Sequence, residues 1–419
     1  MRSVFLSALA LCVVVSTVVP AATARNGQAR RRPLVASFNP RDLKQYPNTK
    51  SKSVAIFDAD TGQLLWQVNG NKRCYPASTT KILTGLLFAE AIPAESMVRC
   101  TNKQISIVGE SSLNIKYNES FIADDLLRGF LLKSANDAGV VIAEHIDGST
   151  SKFASRMNAR AKQAGANNSH FVNPHGLHHP DHFTTAIDLG KIAIDALKNP
   201  RFAAMVEKPS AVITSSNRRS IRVTSKAKSL YYDKFLGADG IKTGYTRPAG
   251  NCFVGSATRD GRRLISVVMG APESACKETI PILSWAFRRF ERQVVVKNDT
   301  LVDVVMPDGR SLKARTNDEI VRSVDKYNSP RPVEQRISVT KGLTEINKGD
   351  VIGELHVIEN GVDVGKCPLV SDSESRVTGN VFGPMGWFGG SICLVLVAWQ
   401  RGRRIARRAS TKSTGSRRR

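Results

Sequence analysis

The stretch Tyr75–Leu87, YPASTTKILTGLL, places a lysine one helical turn after a serine at the mouth of an apolar helix. Two readings compete. In one, Pro76 and Ala77 lead into Ser78 as an N-cap, Lys81 is a solvated first-turn residue, and Ile82, Leu83, Leu86 and Leu87 face a core. In the other, Ser78 is a nucleophile, and Lys81, on the same helix face at i+3, takes its proton. The rest of the chain decides between them.

A Ser-x-x-Lys spacing alone decides little, because Ser149/Lys152, Ser225/Lys228, Ser274/Lys277, Ser323/Lys326 and Ser338/Lys341 share it. Order and context separate one set. Ser78 and Lys81 open an apolar helix, and Ser134-Ala135-Asn136 stands between the helical stretches Asp124–Lys133 and Ala138–Ile146. Lys242-Thr243-Gly244 lies in DGIKTGYT, ahead of Gly250–Gly270, which alternates around Asp260-Gly261 as a hairpin does.

The chemistry asks for these residue types. A serine hydroxyl needs a base, and a lysine can be that base only if burial or a neighbouring cation lowers its pKa towards neutrality. Lys81 in an apolar helix, with Lys242 nearby, has both causes. Ser134 could relay a proton to a leaving amine, and Asn136 could hold Lys81 or a substrate amide. Lys242 and Thr243 would hold a terminal carboxylate, and Gly244 lets substrate lie against the strand. The backbone N–H groups of Ser78 and Tyr245 would form an oxyanion hole, worth about 3–4 kcal/mol per donor.

These three motifs, in this order, resemble those of the penicillin-recognising serine acyl transferases. PASTTKILTGLL, KSANDAGVVIAEHI and GADGIKTGYT are similar to the low-molecular-mass penicillin-binding proteins that are D-Ala-D-Ala carboxypeptidases. FVNPHGLHHPDHFTTAIDLGKIA, with Asn173, Gly176, Leu177, Thr185, Ala186 and Asp188, resembles a further stretch of that family. The likeness covers about Ser53 to Glu291, and the chain after it resembles the family's C-terminal module. The resemblance implies removal of the terminal D-alanine from peptidoglycan stem peptides through an acyl-enzyme on Ser78, and inhibition by penicillin. It implies no metal or organic cofactor. Two positions depart from the pattern. Tyr245 stands where the family often has His, and APESACKE offers only Lys277 where many relatives place an Arg near the substrate carboxylate.

The fold class expected is α+β: a β-lactamase/transpeptidase-like catalytic domain, an antiparallel sheet with a helical subdomain, over residues 46–291. Ser53–Asn69 reads as two strands around Asp60-Thr61-Gly62 that join the later strands in one sheet, and Ile280–Phe290 as a closing helix. Short β-rich runs with PDG, KGD and ENG turns mark a small all-β domain over 292–372.

The ends carry targeting signals. An apolar run from Val4 to Val19 precedes Ala22-Thr23-Ala24, the pattern of a signal peptide over 1–24. A basic leader follows over 25–45. Val381–Trp399 is 19 residues without a charge, the length of a transmembrane or interfacial anchor, and the 400–419 tail holds nine basic residues and no acid. The body is thus expected on the periplasmic or wall side of a bacterial inner membrane, with the tail cytoplasmic if the anchor spans.

Of the formal net charge of +25, those nine positives and four more in Arg25–Arg32 sit in terminal arms, so nucleic acid is not an expected partner. Cys74, Cys100, Cys252, Cys276 and Cys367 lie outside the signal and anchor, at irregular spacing that allows one or two disulfides without pairing them. His170, His175, His178, His179 and His182, with Asp181, cluster within 13 residues, but without HExxH spacing they read as a loop and not a zinc site. Alternatives to the carboxypeptidase are a β-lactamase-like enzyme, for which no convincing Glu loop stands between Asn136 and Lys242, a DD-endopeptidase, and a non-catalytic wall-binding protein.

Overall fold

Ser53–Asp58 (β1) is apolar at nearly every position, and all six residues are buried. A strand covered on both faces has no side to give to water, so its pattern is continuous rather than alternating. A computed structural model gives the fold and describes residues 45–103, 105, 111–328, 330–359 and 361–376. The expected signal peptide, the leader up to residue 44, the Val381–Trp399 anchor and the basic tail lie outside the described residues. Among the described residues no helix is long and apolar enough to cross a membrane.

After β1 come Leu64–Val68 (β2), a short 3-10 turn at Ala77–Thr80, and Lys81–Ala91 (α1). The hairpin Met97–Arg99 (β3) with Ser120–Ile122 (β4) precedes Ala123–Leu132 (α2), Asn136–Asp147 (α3), Thr150–Gln163 (α4), Ala186–Lys198 (α5) and Pro200–Glu207 (α6). A second hairpin, Ser210–Thr214 (β5) with Ser220–Thr224 (β6), leads to Ala238–Thr246 (β7), Gly250–Arg259 (β8), Arg262–Ala271 (β9) and Ala275–Arg289 (α7).

The main sheet runs β2-β1-β9-β8-β7 with every neighbour antiparallel. The two ends of the block therefore meet at β1 and β9, as their patterns predict. Alternation now has a meaning: Ala55 and Phe57 enter the core under the helices, whereas Val54 and Ile56 enter the core under α7. β7 is the edge strand, so one row of its backbone groups is not used by the sheet.

Helix α1 is buried from Lys81 to Phe88, which makes it the central helix of its layer, and Lys81 its one buried charge. Ser78 does not cap it. The 3-10 turn and α1 both begin without a side-chain cap. The competing matches behave otherwise: Ser149 Oγ accepts from the Lys152 amide and Ser274 Oγ from the Lys277 amide, so those serines are true N-caps.

From Phe290 onward every element among the described residues is a strand. Phe290–Val296 (β10), Leu301–Val305 (β11), Ser311–Thr316 (β12), Ile320–Asp325 (β13) and Val333–Val339 (β14) come first. Glu345–Ile346 (β15), Val351–Glu359 (β16), Val362–Ser371 (β17) and Ser375–Arg376 (β18) complete the block. Five of them form the sheet β11-β12-β17-β16-β14, around Val304, Ile352, Leu355 and Leu369. A buried polar knot ties this block to the main sheet. Arg262 of β9 donates to Asp58 (2.8 Å) and to the Phe290 carbonyl (2.7 Å), and the Ser323 hydroxyl of β13 donates to Asp58 (2.6 Å).

Candidate active site

The turn that carries Ser78 is held by short hydrogen bonds. Thr79 Oγ1 donates to the Pro76 carbonyl (2.7 Å) and Thr80 Oγ1 to the Ala77 carbonyl (2.8 Å). The Val172 amide donates to His182 Nδ1 (3.1 Å), so in the neutral ring Nε2 carries the proton, and it lies 2.8 Å from Thr80 Oγ1. Burial keeps His182 neutral, with its pKa pushed down to about 3. This His from the histidine-rich stretch braces the turn that carries Ser78.

The rest of that stretch is spent on other contacts. His170 Nδ1 donates to the Asp181 carbonyl (2.6 Å), and His178 meets Tyr75 edge-on at 4.6 Å between ring centroids. Among the described residues no three His, Cys, Asp or Glu side chains converge as metal ligands would.

Lys81 is completely buried, and its Nζ has three neighbours. Ser78 Oγ is at 3.1 Å, Asn136 Oδ1 at 2.7 Å and the His175 carbonyl at 2.6 Å. Burial first, and the Lys242 charge second, hold its pKa well below the usual lysine range. A neutral amine has two N–H bonds and one lone pair. The two nearer neighbours accept only, so they take both N–H bonds, and the lone pair is left facing the Ser78 hydroxyl.

The segment Asn173–Leu177 exists to place that carbonyl. Asn173 Oδ1 accepts from the Gly176 amide (2.7 Å), and Asn173 Nδ2 donates to the Leu177 carbonyl (2.9 Å). Gly176 adopts φ +86°, and a Cβ on it would sit 1.8 Å from the Ala77 carbonyl oxygen. Only glycine lets this loop rest on the serine's turn.

Ser134 stands just before α3 at φ +64° and lines the cleft. Its neighbour Asp137 holds the opposite wall, accepting from Ser112 Oγ (2.6 Å) and from the Leu113 and Ile115 amides (both 3.0 Å). On the other side lies the edge strand β7. A Cβ on Gly244 would be 2.9 Å from the Pro76 carbonyl oxygen and 3.0 Å from the Ser78 amide nitrogen, so the missing side chain lets β7 come against the Ser78 amide. Tyr245 lines the cleft and is 65% exposed.

Lys242 is 3% exposed, its Nζ donates to the Thr243 carbonyl (3.1 Å), and burial with the Lys226 charge pulls its pKa down to about 7. The cleft, about 480 Å³, is lined by Ser78, Ser134, Asn136, Thr243, Gly244 and Tyr245 among others. Six of the eight residues assigned to the site in the sequence line it, and Lys81 and Lys242 lie buried behind Ser78 and Thr243.

Other lining residues were not foreseen. Lys226, from the turn after β6, lines the cleft, whereas exposed Lys277 does not. The extra cation thus comes from a different segment than the family pattern suggests. Cys252 and Cys276 also line it, and burial pushes their thiols up to about 11 and about 12. All five described cysteines are free, so no disulfide joins any two of the described residues. Cys276 belongs to the core under α7 and Cys367 to the strand block, apart from Cys74, Cys100 and Cys252 at the helical core.

A family model for D-alanyl-D-alanine carboxypeptidase, peptidase family S11, matches residues 41–273. The chain belongs to this family. The carboxypeptidase is 29% identical over 341 residues to D-alanyl-D-alanine carboxypeptidase DacF of Bacillus subtilis, covering 79% of this chain and 87% of that one. It is 34% identical over 240 residues to DacB2 of Mycobacterium tuberculosis, covering 56% and 79%. Its fold is similar to crystal structures of penicillin-binding protein 5 from Haemophilus influenzae, with a TM-score of 0.63 and 28% identity over 78% of this chain and 98% of that one. The carboxypeptidase is therefore a serine hydrolase of the penicillin-binding class.

Proposed function

We propose that this carboxypeptidase works through Ser78 and Lys81, and the position of Lys81 Nζ carries that reading: a buried, neutral amine whose lone pair faces Ser78 Oγ. Ser78 Oγ attacks the carbonyl carbon of the penultimate D-alanine of a peptidoglycan stem peptide while Lys81 takes the hydroxyl proton. The oxyanion is held by the Ser78 and Tyr245 amides. Collapse expels the terminal D-alanine, whose amine is protonated from Lys81 through Ser134, and water then hydrolyses the ester. Asn136 fixes Lys81 throughout, and Lys242 and Thr243 hold the terminal carboxylate. A β-lactam enters the same path but leaves slowly, because no Asp or Glu among the described residues lines the cleft to activate water.

The chain divides in this reading into a catalytic domain over 46–291 and an accessory strand domain over 292–372. It is exported, and Val381–Trp399 attaches it to the membrane, which the charge-free run followed by nine basic residues supports.

Intact-mass analysis with a penicillin, in parallel with D-alanine release from a D-Ala-D-Ala peptide, tests the assignment. Wild type is expected to gain one penicilloyl group at Ser78 and to release one D-alanine per peptide, and Ser78→Ala to do neither. An adduct on another residue would sink it.

The pH profile offers a second test. Lys81 must be neutral, so kcat/KM rises with pH through its lowered pKa. Lys242 must be charged, so kcat/KM falls as pH rises above about 7. A bell-shaped profile is expected between pH 5 and 10, and a rate still climbing at pH 10 would contradict the role given to Lys242.

A further inference from the structure

A second cavity, about 510 Å³, lies beside the catalytic cleft and is lined by Ser111, Lys133, Arg222, Thr224 and Lys226. Ser111 and Lys226 line both cavities, so the two join there. Lys133 directly precedes Ser134. On β6, Val223 is buried while Arg222 and Thr224 on either side of it are exposed, so strand alternation turns both to the cavity. Three cations and two hydroxyls thus face one space. Nearby arginines are paired, Arg201 with Asp124 and Arg219 with Glu119, but Lys133, Arg222 and Lys226 have no ion pair among the described residues. Like charges gathered without a counter-charge repel one another and are relieved by a bound anion.

We propose that this groove is a carboxylate subsite, in which Lys133 and Arg222 take a second carboxylate of the stem peptide, outside its terminal D-Ala-D-Ala. The proposal rests on the carboxypeptidase reading. There the leaving group is a single D-alanine, whose one carboxylate is held at Lys242 and Thr243, so a further carboxylate belongs to the acyl part of the peptide. Arg222 offers a planar fork to that group and Lys133 a point charge, with the Ser111 and Thr224 hydroxyls as further donors.

The test uses two pentapeptides ending in D-Ala-D-Ala that differ only in the second residue, a γ-linked D-glutamate with its free carboxylate in one and a carboxamide in the other. Wild type is expected to favour the carboxylate peptide in kcat/KM by roughly fivefold to tenfold at low salt, the scale of two exposed charge contacts, with the preference fading at high salt. In the double variant Lys133→Gln/Arg222→Gln the ratio of the two kcat/KM values is expected to fall to about one. Equal wild-type rates on both peptides, or an unchanged ratio in the variant, would overturn the subsite and leave the carboxypeptidase assignment standing. Release of D-alanine from neither peptide would instead overturn that assignment and the subsite with it.

Discussion

Replacing Lys81 with methionine is expected to lower the rate of Ser78 acylation by about 10³–10⁴-fold, whether the acyl donor is a peptide or a penicillin. Methionine has similar length and suits the apolar helix, so the change removes the base and little else in volume. It does leave Asn136 Oδ1 and the His175 carbonyl without the N–H bonds they receive at 2.7 and 2.6 Å. Each orphaned acceptor costs about 1–3 kcal/mol, which the loss of a desolvated amine offsets in part. Circular dichroism and the acylation rate together separate the effects. A folded variant that keeps a tenth of the wild-type rate would show that Lys81 is not the base.

The second large effect belongs to a residue that touches no substrate. Gly176→Ala would set a Cβ 1.8 Å from the Ala77 carbonyl oxygen and 2.9 Å from Thr80 Oγ1, on a backbone at φ +86°. Left-handed alanine alone costs about 1–2 kcal/mol, and the clash is with backbone that cannot swing away. We expect a loss of about 3–5 kcal/mol in urea unfolding, near the top of the range for single substitutions. Acylation should slow as well, because moving residue 176 moves the His175 carbonyl off Lys81. A stability loss below about 1 kcal/mol with unchanged acylation would mean that the loop is not seated as described.

Most of the groups that meet at the cleft were legible in the sequence, because their order and context are local. Lys81 in its apolar helix, Ser134 between helices and Lys242 ahead of a hairpin could each be read from their neighbours. Strands β1, β8 and β9 could be read from the turn signals at Asp60-Thr61-Gly62 and Asp260-Gly261. Less was visible where meaning depends on contacts far along the chain. The His175 carbonyl is a backbone group, so no side chain marks it. His182 was read only as part of a polar loop, yet it braces Thr80, 102 positions earlier. Asp137 could have been suspected, since a carboxylate directly after Ser-x-Asn and ahead of an apolar run needs a partner. Helix α4 went unnamed because its buried stripe is thin: Phe153, Ala154, Met157 and Ala161. Lys226 had no local signal, and only the fold brings the turn after β6 to the cleft.

The knot at Arg262 bears on how the molecule comes apart. Asp58 from the first strand, Arg262 from the last strand of the main sheet and Ser323 from beyond Phe290 share one buried cluster, and Arg289, itself 3% exposed, reaches Asp325 at 2.8 Å. Pulling the strand block away would leave the Asp58–Arg262 pair intact but strip Ser323 from it and break the Arg289–Asp325 pair, and removing the partner of a buried charge costs about 3–5 kcal/mol. The two blocks are thus expected to unfold together in calorimetry, and two separate transitions would show that the knot does not couple them.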